Sequence, residues 1–183
     1  MKIEILWHQD MWLLIKKVAY RTIGKDTSKY PTSEWKTRIL RARHTPIRLG
    51  MFIIELSDIP SYVATHIVRH HQGIEKFVES RREDKGYRQT KVHRLTPVNL
   101  VIWINFEAIM EISKKRFCNN TDSRTRKVWG AVINAIKDIE PELYALCRPR
   151  CWWEKECNEF HSCKKGPSEK KLAVGHVKNQ RVR

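Results

Sequence analysis

The feature that most constrains this chain is a change of hydrophobic period between Met51 and His71. "MFIIEL", Met51–Leu56, is an apolar, β-branched run of strand length. Directly after it, Ile59, Val63, Ile67 and His70 recur every three or four residues, the spacing of one helix face. Ser57 or Asp58 is placed to cap that helix, and Pro60 falls near its first turn, where a missing N–H is harmless. The predicted helix ends in Arg69-His70-His71, and a polar run follows to Asp84. Cations at a helix C-terminus complement its dipole. The cluster therefore has a purely structural explanation until its context says otherwise.

The flanks continue the alternation of strand and helix. "MKIEILW" alternates apolar and polar residues and predicts a first strand. Asp10 caps a helix over 11–23, with Gly24 as its stop. A loop over 25–31 leads to a second helix over 33–43, with Trp35, Ile39 and Leu40 on one side. Residues 74–80 alternate and predict a strand, and 85–97 is a polar loop. "VNLVIWINFEAIMEISKKR" is apolar enough to predict a single helix over 97–117. Thr121 or Ser123 opens a last helix reaching Leu146, with Val128, Val132, Ile136 and Ile139 on one face. No internal repeat is visible. The expected architecture is one mixed α+β domain over 1–146, a Cys-rich appendix over 147–163 and a basic tail over 164–183.

With 183 residues and 41% apolar content, the chain can bury a core. No apolar run approaches the ~18 residues a membrane span requires. The first ten residues lack a basic-then-apolar leader pattern, so a cytoplasmic setting is expected. Lys+Arg number 36 against 20 Asp+Glu, a net charge of +16. That excess points to an anionic partner: a nucleotide, a nucleic acid or a phosphate-bearing cofactor. The tail contributes seven basic residues and one acid, and its plain reading is a solvated chain end.

Cys147, Cys151, Cys157 and Cys163 lie close together, with His161 among them, at spacings of three, five and five residues; Cys118 stands apart. In a reducing compartment such thiols can converge on tetrahedral zinc, with His161 as a substitute ligand. Free thiols and an iron–sulfur cluster are the alternatives. Trp152 and Trp153, flanked by Arg148 and Arg150, also suit nucleic acid by stacking and charge. Trp103 and Trp129 are expected in the core.

The order of elements carries one resemblance. A helix, "RHTPIRLGMFIIEL", a helix, "VRHH" and a strand closing on Ser and Arg resemble the flavin-dependent thymidylate synthases, also called the thymidylate-synthase-complementing family. The resemblance spans about 39–141. In that family an H-x-T/S-P turn precedes a strand. A helix then ends in Gln-x-x-Arg-His-Arg, and a Ser follows after seven more residues, with an Arg close behind. Thr45-Pro46 match the turn, Arg69 and His70 match the helix end, and Asn105 and Arg116 match positions on the later helix. His71 stands in place of Arg, His66 of Gln and Arg48 of Glu, while Glu107 and Glu111 replace an Arg and an Asn. Glu79 holds the Ser position with Ser80 one place late, and Arg81 or Arg82 fills the Arg position. The connection from Asp84 to Pro97 is shorter than in the family.

The resemblance implies the family's mixed α/β fold, FAD as cofactor, NADPH as reductant, methylenetetrahydrofolate as one-carbon donor and dUMP as substrate. It also implies a homo-oligomer, tetrameric in the family, with flavin sites between subunits. Thr45, Arg69, His70, His71 and Asn105 would hold the cofactor. His66, Glu79, Ser80, Arg82 and Arg116 would hold dUMP, with Arg116 also at the reacting centre. Guanidinium forks suit phosphate oxygens, and an imidazole can face a flavin while staying neutral near pH 7. No cysteine nucleophile is required, because hydride comes from reduced flavin. A pyrimidine hydroxymethylase and a non-catalytic relative binding nucleic acid through its basic face and Cys module are the alternatives. Glu107 and Glu111 are expected to repel phosphate if they face the pocket. His71 is expected to make flavin binding weaker than in the family and stronger as pH falls between about 8 and 6.

Overall fold

The strand expected at Met51 forms an inner strand of the sheet and runs on to Pro60. This strand, β2 (Met51–Pro60), pairs antiparallel with β1 (Lys2–His8) on one side and with β4 (Pro97–Asn105) on the other. β3 (Ile74–Val78) lies antiparallel on the far side of β4, giving the order β1-β2-β4-β3. The computed structural model describes residues 1–80, 82, 84, 86, 93–154 and 156–163. The expected basic tail and Arg81 lie outside the described residues.

Phe52, Ile54 and Leu56 of β2 and Leu100, Ile102 and Ile104 of β4 are fully buried on one sheet face. The helices are α1 (Trp12–Arg21), α2 (Ser33–Ala42), α3 (Ser61–Val68), α4 (Phe106–Arg116), α5 (Ser123–Ala135), α6 (Pro141–Leu146) and α7 (Arg150–Glu154), with a short 3-10 helix at Thr45–Leu49; α3, α4 and α5 pack on the sheet, and α7 packs on α4. Trp12, Phe52, Phe106, Trp129 and Tyr144 fill the space between the layers. The result is the expected mixed α/β domain. No helix among the described residues is long and apolar enough to cross a membrane.

Four expectations are corrected. Ser57 and Asp58 do not start a helix; they form a bulge in β2, where the register shifts between Leu56 and Ile59. Asp58 adopts a φ of 55° there and donates its N–H to the Asn99 side chain at 3.1 Å. The predicted 97–117 helix is a strand followed by a helix. Alternate residues of 97–104 are buried with period two, and Asn105 ends the strand by capping α4. Apolar residues on both sides of that strand hide the period in the sequence. The long last helix is two helices: α5 ends at Ala135, and Pro141 opens α6 as its first residue, where a missing N–H is harmless. Trp129 is buried as expected, but Trp103 is half-buried and donates to Met51 Sδ at 3.2 Å.

Candidate functional site

One end of the sheet is pinned by two glycines. Asn105 donates its backbone N–H to the Gly73 carbonyl at 3.0 Å, and Phe106 donates to the Gly50 carbonyl at 3.0 Å. The Asn105 side-chain oxygen accepts the Ala108 N–H at 2.9 Å, which fixes where α4 begins. Gly73 has a φ of +68°, and a Cβ there would stand 2.5 Å from the Asn105 amide nitrogen. A Cβ on Gly50 would run into the Phe106 ring. Three segments therefore meet closely: the end of the 3-10 helix, the turn after α3, and the start of α4.

Between them lies a cleft of about 910 Å³. Arg48, Arg69, His70, His71, Gln72, Gly73 and Asn105 line it, together with the exposed face of α4, Glu107, Glu111, Lys114 and Lys115. Arg150 of α7 closes one side. Of the residues expected at the cofactor, Arg69, His70, His71 and Asn105 are thus brought together. Thr45 opens the 3-10 helix at the surface and does not line the cleft, although Arg48 of the same turn does.

The departures from the family pattern compensate one another. Arg48 and Glu107 form an ion pair across the cleft wall, so the exchanged charges at these two positions face each other. Glu111 pairs with Arg43 and with Lys114 at 3.3 Å. Both carboxylates face the cleft as feared, but each is matched by a cation. The Arg69 side chain lies exposed in the cleft, and its guanidinium has no hydrogen-bond or ion-pair partner among the described residues.

Arg116 sits behind the cleft wall. Its Nη2 donates to the His66 carbonyl, one of the acceptors that the end of α3 leaves over. The same guanidinium reaches His70 Nε2 from Nε at 3.2 Å and from Nη2 at 2.9 Å. A nitrogen that accepts from a cation carries no proton, so His70 holds its proton on Nδ1. Burial, and then the Arg116 charge with His71 and Lys76, push His70 down to about 4. Lys76 donates to the His70 carbonyl at 2.8 Å and lies 3.5 Å from His71 Nδ1.

The other expected residues lie elsewhere. His66 turns away from the cleft to Thr125, with 2.8 Å between Nδ1 and the hydroxyl, and packs edge-on against Tyr62. Glu79 extends the β3 pairing through Asn99, and Arg82 is bound bidentately by Asp84 at 2.8 and 2.6 Å. Glu79, Ser80 and Arg82 follow the far end of β3, about 20 Å along the strand from Gly73 at the usual strand rise. Within one chain they do not meet Arg69 and His70.

Cys147 is fully buried in the core beside Ser113, and burial pushes its thiol up to about 12. Among the described residues no group of three or more His, Cys, Asp or Glu side chains is already assembled around a metal position. Sequence reasoning missed Lys114, Lys115 and Arg150. The two lysines could have been found by phasing α4 from Asn105, which puts them below Glu107 and Glu111 on one face. The sequence marks Arg150 only beside Trp152 and Trp153 as a nucleic-acid contact, and nothing in it places that residue at the cleft.

No protein-family model matches the sequence, and no curated protein sequence does. Solved structures do match. The flavin-dependent thymidylate synthase ThyX from Helicobacter pylori, complexed with FAD and dUMP, aligns at a TM-score of 0.65 and 12% identity over 81% of this chain and all of that one. The UMP/dUMP methylase PolB from Streptomyces cacaoi, bound to 5-Br dUMP, aligns at 0.63 and 13% identity over 79% of this chain and 93% of its own. At such identities the likeness is one of fold: this chain is built as the flavin-dependent thymidylate synthases and the PolB methylase are built.

Proposed function

We propose that the cleft binds FAD and dUMP, and that the protein transfers a one-carbon unit from methylenetetrahydrofolate to the pyrimidine ring with NADPH as reductant. The observation that carries this reading is the pairing of a free Arg69 with a neutral, oriented His70 in a cleft of dinucleotide size, within this fold. Arg69 offers an unpaired fork to a phosphate. Asn105 and the first turn of α4 set one wall, and the α3 end sets the other. His70 has its Nε2 occupied by Arg116, so Nδ1–H is the donor it can present. The flavin, when bound, supplies hydride; the chain's own groups bind, orient and exclude water.

The segment carrying Glu79, Ser80 and Arg82 is too far along β3 to reach this cleft. A homo-oligomer in which a second copy supplies it completes the dUMP site. A methylase acting on UMP or dUMP is the second reading, supported by the comparable fit to PolB. The excess of positive charge keeps nucleic acid as a further partner to test.

The absorbance spectrum of the purified chain tests the proposal. Flavin bands that remain after desalting, and that shift when dUMP is added, are the expected result. A colourless protein that takes up no FAD and responds to no nucleotide refutes it; tight binding of oligonucleotides by such a protein would replace it with the nucleic-acid reading.

A further inference from the structure

We propose that Cys118, Cys151, Cys157 and Cys163 bind one thiophilic divalent cation of the zinc class, which clamps the C-terminal segment to the domain. The sequence alone groups Cys147 with the other late cysteines. The fold separates it: Cys147 belongs to the core, while the turn after α4 brings Cys118 to the surface that the segment crosses. That turn is fixed by Cys118 N–H to the Lys115 carbonyl at 3.3 Å and Thr121 N–H to the Cys118 carbonyl at 3.0 Å.

The C-terminal segment returns to the same turn through polar contacts. Lys115 pairs with Glu159 at 3.2 Å, and the Asn120 amide donates to the His161 carbonyl. The Asn119 amide donates to Cys163 Sγ at 3.6 Å, the kind of outer contact that steadies a thiolate ligand. Cys151 stands on α7, which packs against α4. Its thiol lies within electrostatic reach of the Cys118, Cys157 and Cys163 sulfurs.

Apolar burial does not explain why the segment lies there. Residues 156–163 form no helix or strand, and Phe160 is 95% exposed. A short segment with no core of its own needs a staple, and a metal is one. The sulfurs are not yet at ligand separation, so binding requires new rotamers, which the partly exposed Cys118, Cys151 and Cys163 and the exposed Cys157 can adopt. Each thiol releases its proton to buffer as its sulfur bonds the ion, and nothing is oxidised or reduced. Because Arg150 precedes Cys151 and lines the cleft, the clamp would also fix that wall.

The test is zinc content of the full chain, purified under reducing conditions, reconstituted with zinc and desalted. About one zinc per chain is expected, as for a closed four-coordinate site. Cys118→Ser should lose it and Cys147→Ala should keep it. A metal-free parent, or a Cys118→Ser chain that holds zinc as well as the parent, overturns the proposal. If Cys118→Ser does not fold, cobalt substitution of the parent decides. Intense tetrahedral bands with thiolate charge transfer support the four-sulfur site, and their absence overturns it.

Discussion

Removing the Arg116 side chain should act on His70 before it acts on any ligand. Arg116 spends Nε and Nη2 on His70 Nε2 and the His66 carbonyl. Hydrogen bonds from a charged donor contribute about 1.5–3 kcal/mol, and water can replace part of that at this half-buried site. Arg116→Ala should therefore cost about 2 kcal/mol, a fall in Tm of about 4–8 °C for a domain of this size. His70 should respond as well. Burial is the largest cause of its depression to about 4 and the Arg116 charge the next, so its pKa should rise but stay below the ordinary 6.5. The sign of the pH effect follows. Between 6.5 and about 4 the unfolded chain takes up the proton first, so the parent loses stability as pH falls through that window, and the variant should lose less. Denaturation at several pH values, with an NMR titration of the His70 ring, measures both quantities. An unchanged Tm together with an unchanged His70 titration would refute the arrangement.

Other perturbations separate scaffold from site. Gly73→Ala should destabilise by about 2 kcal/mol, from the left-handed backbone and the displaced Asn105 cap; a neutral effect in urea melts would contradict the pinned junction. His8 pairs with the buried Glu140 at 3.2 Å, and although burial opposes it, the Glu140 hydrogen bond leaves its pKa raised. That contribution is fully present below 6.5 and lost as pH rises through the folded value, so Glu140→Gln should flatten this limb of the stability–pH curve while keeping the Trp12 Nε1 bond. Arg69→Ala should weaken nucleotide binding by about 1.5–3 kcal/mol with Tm unchanged, because Arg69 holds nothing in the chain. Calorimetry showing undiminished affinity would remove Arg69 from the site.

The sequence disclosed what local chemistry controls. The strand at Met51, the α3 stripe and the Arg69-His70-His71 ending follow from hydrophobic period, and of the residues that match the family motif Arg69, His70 and Asn105 line the cleft, while Thr45 and Arg116 do not. What stayed hidden depends on long-range contacts. The period of β4 is masked because both of its faces carry apolar residues, and only Asn105, bonded to Gly73, marks its end. Glu107 and Glu111 read as faults in a phosphate site until Arg48, Arg43 and Lys114 are seen beside them. Cys118 looks solitary in the chain, yet the segment carrying Cys163 returns to its turn through Asn119 and Asn120. Arg116 matches the motif by position, yet its guanidinium is engaged with α3 inside the chain.

The proposed reaction in this cleft is one-carbon transfer to dUMP. Replacing a ring hydrogen by a carbon substituent must release that hydrogen, so the direct measurement is tritium released to water from ring-labelled dUMP. Release that requires FAD, NADPH and methylenetetrahydrofolate together, and that collapses in Arg69→Ala, is the result expected. A chain that binds FAD and dUMP but releases no tritium with all three present would contradict the account.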